Sequence, residues 1–177
     1  MKRKLYNVNN NEPLLEYGFP EDYSYKEDGV TARRVYRSFD FASGTLYETF
    51  FENFHIAFCD LKTKPSTEIP VATEEETVEM EFVLRGSCKR DSSEFDQTLD
   101  FDENRHNITY IRKQKAISKW QAPSKSVQML QINISPKTFA NYLTDENELV
   151  KKFKKNILNK RSSRLRMQSQ TITPQMH

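Results

Sequence analysis

Between residues 30 and 134 the apolar side chains tend to recur at every second position, with no helical segments in between. The clearest stretch is Thr77–Arg85. There Val78, Met80, Phe82 and Leu84 point one way, while Thr77, Glu79, Glu81 and Arg85 point the other. It ends at Arg85-Gly86-Ser87, which suits a hairpin turn. Residues 45–52 are rich in aromatic and β-favouring side chains, and in 54–60 Phe54, Ile56 and Phe58 alternate with smaller or polar residues. Further strands are predicted over 94–99, 106–112, 116–121 and 126–134. In the last, the apolar set shifts from Val127 and Met129 to Leu130, Ile132 and Ile134, which predicts a bulge or burial on both faces. Seven or eight short strands in this arrangement demand an antiparallel sandwich or barrel.

The flanks read differently. Residues 1–29 are polar and acidic and predict an extended lead-in with little regular structure. Residues 62–76, with Pro65, Pro70 and three successive glutamates from Glu74, predict a loop. After residue 134 the pattern becomes helical through 135–177. Ser135 is placed as an N-cap with Pro136 in the first turn, followed by Phe139, Tyr142 and Leu143 on one face. Asp145 and Glu148 have capping-box spacing for a second helix. On that helix Leu149, Val150, Phe153 and Ile157 form a stripe opposite four lysines, to be packed on the parent barrel or on a second subunit. Residues 159–170 predict a linker. Thr173-Pro174 marks another helix start, so the chain is expected to continue into something longer.

Composition narrows the chemistry. Four glycines, all isolated, provide no phosphate-cradling loop, and three scattered histidines (His55, His106, His177) provide no multi-histidine metal site. No Gly-x-Ser-x-Gly string exists. Glu79 and Glu81 read as solvated surface acids rather than an acid–base pair. Cys88 with His106 lacks a residue to orient it, and His106 with Asp100 or Asp102 is a poor metal site. Neither a catalytic residue, nor a metal, nor another cofactor is therefore expected.

The formal charge of +2 averages two unlike parts. Residues 5–150 hold 16 basic against 25 acidic groups, and residues 151–177 hold eight basic groups and no acid. An acidic body repels phosphate backbones, so any nucleic-acid contact falls to the basic tail, which otherwise reads as a solvated face. Residues 1–30 contain no signal-peptide core, and the apolar run at 54–59 is too short to span a bilayer. A cytoplasmic location and no membrane partner are expected, with Cys59 and Cys88 as two buried or half-buried thiols.

Aromatic residues crowd the predicted strands: Tyr47, Phe50, Phe54, Phe58, Phe82, Tyr110 and Trp120. They either fill the interior or line one small ligand pocket. The pocket is sought among Phe82, Tyr110, Trp120 and Met129, with Trp120 half-exposed at a rim because Lys119 and Gln121 flank it.

Three segments occur in order: Val-Glu-Met-Glu-Phe-Val-Leu-Arg-Gly at 78–86, His-Asn-Ile-Thr-Tyr at 106–110 and Leu-Gln-Ile-Asn-Ile-Ser-Pro-Lys-Thr-Phe at 130–139. Their succession resembles the N-terminal sensor domain of bacterial AraC-type transcriptional regulators, in the branch that includes the pyochelin-siderophore regulators. The resemblance implies a cupin-like β-barrel or jelly roll that binds a small-molecule effector, followed by helices used in homodimerisation. It also implies a DNA-binding pair of helix-turn-helix units absent from this chain. It assigns no enzymatic activity, and gives Asn107 a structural role, bonding backbone at a strand start. The competing readings are a metal-dependent cupin enzyme and a scaffold domain that uses its basic tail.

Overall fold

Strand pairing follows the order of one long hairpin rolled over on itself. The computed structural model describes residues 2–7, 9–18, 30–39, 41–64, 66–95, 97–121, 126–144 and 147–165. β1 (Lys2–Tyr6) and β2 (Pro13–Gly18) form an N-terminal hairpin, followed by β3 (Thr31–Ser38), β4 (Ala42–Phe51) and β5 (Phe54–Thr63). Then come β6 (Ser66–Thr73), β7 (Thr77–Arg85), β8 (Ser87–Ser92), β9 (Leu99–Phe101), β10 (Arg105–Ile111), β11 (Gln114–Gln121) and β12 (Ser126–Ile134). Helices α1 (Pro136–Tyr142) and α2 (Glu148–Leu158) and a short β13 (Ser163–Leu165) complete the described chain.

From β5 onward the pairs are nested: β5 with β12, β6 with β11, β7 with β10 and β8 with β9, all antiparallel. Successive pairs fall alternately in two sheets, ordered β2-β1-β6-β11-β8-β9 and β13-β10-β7-β12-β5-β4-β3. This is a jelly roll, mainly β and followed by helices. It is a pair of open sheets rather than a closed barrel.

Several expectations need correction. The stretch read as a lead-in contains β1 and β2, and β1 pairs with β6, so it is part of the first sheet. The stretch read as a loop contains β6. Its Pro70 is tolerated because, among the described residues, β1 pairs with β6 only over Val71–Thr73 and does not reach the proline, which has no N–H to donate. Gly86 makes no hairpin. With φ near +81° it turns the chain from β7 in one sheet to β8 in the other, and its N–H donates to Glu103 Oε2 at 2.9 Å. The strand expected at 94–99 is replaced by β8 and a turn leading to β9, so Cys88 lies within a strand. The linker at 159–170 contains β13, which pairs with β10. The shift expected in β12 is present: its register with β7 slips between Gln128 and Met129.

Two apolar cores explain why the central strands are buried on both faces. One lies between the sheets, around Leu5, Ile69, Val83, Phe101, Trp120 and Val127. The other lies between the seven-stranded sheet and the helices, around Val78, Tyr110, Ile134, Phe139, Phe153 and Ile157. Ser135 caps α1 as expected, its Oγ accepting from the Thr138 N–H at 3.1 Å. α2 is capped by Asn147, whose side chain accepts from the Leu149 N–H at 2.8 Å. The proposed capping residue Asp145 and the Thr173-Pro174 helix start lie outside the described residues.

Four side chains were expected to meet either the parent barrel or a partner, and they divide. Phe153 and Ile157 are buried on the chain's own sheet, with Phe153 edge-on to Phe139 at 6.2 Å. Val150 is half-buried and Leu149 is 60% exposed. Phe153 and Ile157 are therefore packed in the chain's own core. No helix among the described residues is long and apolar enough to cross a membrane.

Candidate functional site between the sheets

On β7 the expected alternation is present, but the sides are reversed. Glu79 and Glu81, read as surface acids, are 0% and 1% exposed and point between the sheets. Val78, Met80 and Phe82 face the other way, with Val78 buried and Met80 half-buried against the helix-side core. Register then builds two polar rows across the inner face of the seven-stranded sheet. One runs His55, Asn133, Glu79, Thr109; the other runs Ala57, Gln131, Glu81, Asn107. From the opposite sheet Arg3 on β1 and Arg90 on β8 reach across to them.

The charges interlock. Arg3 Nη1 lies 2.5 Å from Glu79 Oε2, and Arg90 donates through Nη1 to Glu79 Oε1 at 2.7 Å and through Nη2 to Glu81 Oε2 at 3.0 Å. Gln131 Nε2 donates to the same Glu81 Oε2 at 3.1 Å, and Arg90 Nε reaches Ser118 Oγ at 3.5 Å. Glu81 Oε1 is buried with no hydrogen-bond partner among the described residues. Burial alone would push the Glu79 carboxyl up, but the guanidiniums of Arg3 and Arg90 hold it well below the usual range. Burial pushes Glu81 up, to about 7; Arg90 opposes this and the neighbouring Glu79 charge adds to it.

These two carboxyls make opposite pH predictions. Glu79, depressed in the fold, contributes stability above its unfolded value that is lost as pH falls. Glu81, raised in the fold, contributes stability below its unfolded value that is lost as pH climbs through about 7. Urea unfolding should therefore show stability decreasing from pH 5 to pH 8, and E81Q should flatten that slope. An unchanged slope in E81Q would place the titration elsewhere.

A second buried cluster adjoins the first. His55 Nε2 lies 2.8 Å from Glu48 Oε1, Asn133 Nδ2 lies 3.2 Å from His55 Nδ1, and Phe50 stacks on the imidazole at 4.9 Å. With Asn133 donating to Nδ1, the imidazole proton sits on Nε2 and is donated to Glu48. Burial would raise Glu48, but His55 and then Arg33, whose Nε donates at 2.5 Å, bring it below the usual carboxylate value. The histidine and carboxylate are bonded to each other, and among the described residues no three His, Cys, Asp or Glu side chains are grouped to hold a metal.

Beside the Arg–Glu floor lies a narrow cavity of about 50 Å³ with mainly apolar walls. Leu5, Ile69, Val71 and Trp120 line it from one sheet, and Leu46, Ala57 and Met129 from the other. Gly44 also borders it. A Cβ there would come within 2.1 Å of the Asp60 carbonyl oxygen, so only glycine lets β4 approach β5 this closely. Leu15 of β2 and Val35 of β3 also line the cavity, as do Phe39 and Phe41, stacked at 5.4 Å. The same pair borders an open outer groove.

Of the four expected pocket residues, Trp120 and Met129 line this cavity. Trp120 is buried at 6% exposure, not half-exposed at a rim, because β8 and β6 flank its strand and the second sheet covers it. Phe82 and Tyr110 point to the opposite face. Phe82 stacks on His106 at 5.5 Å, and Tyr110 sits in the helix-side core with its hydroxyl donating to Glu76 at 2.8 Å. Both were placed on the wrong side because even positions of β7 and β10 face the helices. Arg3, Arg90 and Gln131 were missed altogether, and Glu79 and Glu81 were assigned to the surface. Their only sequence signal is the period-two spacing of Glu79 with Glu81, and that does not say which face is inside.

Asn107 has the structural role expected of it. Its Nδ2 donates to the Asp100 carbonyl at 3.1 Å, and its Oδ1 accepts from Arg164 Nε at 2.7 Å. Cys59 and Cys88 are free thiols, each pushed up to about 12 by burial and then by nearby carboxylates, which suppresses the nucleophilic thiolate.

No family model matches the chain, and no curated protein matches it. Among solved structures it is similar to a mutant of Bacillus subtilis oxalate decarboxylase OxdC, at 14% identity and a TM-score of 0.44, over 66% of this chain and 32% of that one. It is also similar to a putative ethanolamine utilization protein from Salmonella typhimurium (15%, TM-score 0.36, 52% and 68%) and to Fe(II) HppE (10%, TM-score 0.41, 66% and 63%). The match thus spans about a third of the decarboxylase's length. Likeness at this level concerns the fold and carries nothing about activity.

Proposed function

We propose that this chain is the effector-sensing domain of an AraC-type transcription regulator, taking a small molecule between its sheets and passing the signal to DNA-binding units outside this chain. The carrying observation is the apolar cavity with a buried, incompletely bonded Arg–Glu floor. A buried polar atom left unpaired costs stability, so such floors are kept where a ligand or ordered water completes them. The ordered resemblance in residues 78–86, 106–110 and 130–139 supplies the regulatory context. The basic-tail scaffold reading is weakened by Arg164, which is engaged by Asn107 and the Asp100 carbonyl. A homodimer belongs to the proposal, but through a surface other than Phe153 and Ile157.

Two measurements test it. Native mass spectrometry of the protein purified from its producing cell should show a non-covalent small-molecule adduct that A57V, by filling the cavity, removes. Reading the gene beyond codon 177 should reveal two helix-turn-helix units. Stoichiometric metal in the purified protein, with no organic adduct, would replace this reading with that of a cupin enzyme.

A further inference from the structure

We infer that β3 is the surface through which two copies of this chain associate, pairing antiparallel with the same strand of a second copy about a two-fold axis at Val35. This deepens the homodimer part of the reading above by naming its interface, and the sensor role itself is tested separately by the native adduct.

Each sheet has two edges, and three of the four are poor templates for another strand. β9 and β13 are three residues long, and β2 begins at Pro13, where its register with β1 shifts. β3 is different. It runs eight residues without a proline and pairs with β4 in unbroken register, from Thr31 opposite Phe50 to Ser38 opposite Ser43. Among the described residues β4 is its only strand partner, and six of its eight residues are exposed. The N–H and C=O groups on its outer side therefore form an open row roughly 26 Å long. Helices α1 and α2 pack around Val78, Tyr110 and Ile134 and leave this edge clear.

Charged side chains can blunt such an edge, and β3 carries Arg33, Arg34 and Arg37. Here they select a register instead. A two-fold axis normal to the sheet keeps outward side chains outward, so each residue meets one of its own parity. Centring on Val35 overlaps residues 32–38 of both copies and sets Val35 against Val35. On the outward face Arg34 then meets the second copy's Tyr36, twice by symmetry. Arg34 already stacks on Tyr47 at 5.2 Å, and Tyr36 is 64% exposed, so the pairing gives the guanidinium a second ring. On the inward face Arg37 meets Arg33, whose Nε is held by Glu48 at 2.5 Å. Centring on Arg34 would put two guanidiniums opposite each other on the axis. Centring on Arg33 or Tyr36 would shorten the overlap to 31–35 or 34–38. The Val35 register supplies about six to eight backbone hydrogen bonds, inside the range of a typical interface.

Sedimentation velocity of the unaltered protein, from micromolar to millimolar concentration, should show a monomer–dimer equilibrium. Y36R sets two arginines opposite at each symmetric contact and should weaken the dimer about tenfold. Y36E offers Arg34 a carboxylate and should not weaken it. Tyr36 is exposed, so both variants keep the fold, and a nonspecific loss would affect them alike. Cysteine placement reads the register. V35C should form an intermolecular disulfide on mild oxidation, because directly opposite Cα atoms lie about 4.5–5.5 Å apart. R37C should not, since Arg37 stands opposite Arg33. If V35C fails to fold, the two Tyr36 variants decide alone. Three results would each overturn the β3 interface: a monomer at every concentration, a dimer that Y36R weakens no more than Y36E does, or faster cross-linking of R37C than of V35C. None of them touches the native adduct, on which the sensor reading stands or falls.

Discussion

Replacing Glu79 by alanine is expected to destabilise the protein by about 3–5 kcal/mol, measured by urea unfolding at pH 7. The carboxylate holds two guanidiniums at once, Arg3 on one oxygen and Arg90 on the other, and its own side chain is fully buried. Removing it takes a buried carboxylate away from Arg3 and leaves Arg90 paired with Glu81. Those costs dominate, because the desolvation of the arginines is already complete and cannot be recovered without opening the sheets. E79Q keeps the shape and some hydrogen bonding and should cost less. Both arginines belong to the six-stranded sheet and Glu79 to the seven-stranded one, so this cluster also fixes how the sheets face each other. A loss below about 1 kcal/mol would place the cluster in contact with water, and the cavity floor would not be a dry recognition site.

Phe153→Ala should be comparably severe, at about 3–5 kcal/mol. Phe153 is 2% exposed and packs with Phe139, Ile157 and Val78 between α2 and the seven-stranded sheet. The loss combines removed apolar burial with a cavity that strands cannot collapse to fill. Leu149→Ala, on the exposed side of the same helix, should stay within about 0.5 kcal/mol. The melting temperature of the unaltered protein distinguishes this from a dimer contact. If Phe153 served a partner, stability would depend on protein concentration and F153A would remove that dependence. If it serves the chain's own core, F153A lowers the melting point equally at all concentrations.

The two sites differ in how legible they were. The strands at 77–85, 126–134 and much of 42–63, and the capped helix after Ser135, follow from local chemistry: alternation, β-branched and aromatic content, and a serine placed before a proline. The first strand did not stand out, because Lys2, Arg3 and Lys4 look like a solvated terminus. Arg3 is buried against Glu79, 76 positions away, which meets it from the other sheet. The acidic pair on β7 was misplaced for a related reason. Alternation reports that two faces differ, and the usual inference sends the apolar face inward. Here both faces are covered, one by the second sheet and the other by α1 and α2, so polarity alone does not choose between them.

That asymmetry of information applies to the candidate site as a whole. Trp120 and Met129 were reachable because Val127 and Met129 alternate with polar residues at the start of β12, and Trp120 stands as a large apolar side chain between Lys119 and Gln121 on β11. Phe82 and Tyr110 were misassigned because a second interior exists, and it forms only when α2 docks. Neither helix alone announces which sheet face it will cover.

By itself, the sequence determined the period-two strands, their antiparallel arrangement, the helical turn after Ser135 and the scarcity of phosphate- or metal-binding motifs. These depend on neighbours a few residues apart. The tertiary structure alone decided which face of β7 is inside, and that Arg3, Glu79, Arg90 and Glu81 form one cluster. It also decided that Phe153 and Ile157 of the α2 stripe belong to the chain's own core. Those outcomes depend on groups that come within hydrogen-bond or van der Waals reach only after the hairpin rolls into two sheets. A buried charge is tolerated where its counter-charge arrives from elsewhere in the chain, and no local pattern encodes that arrival.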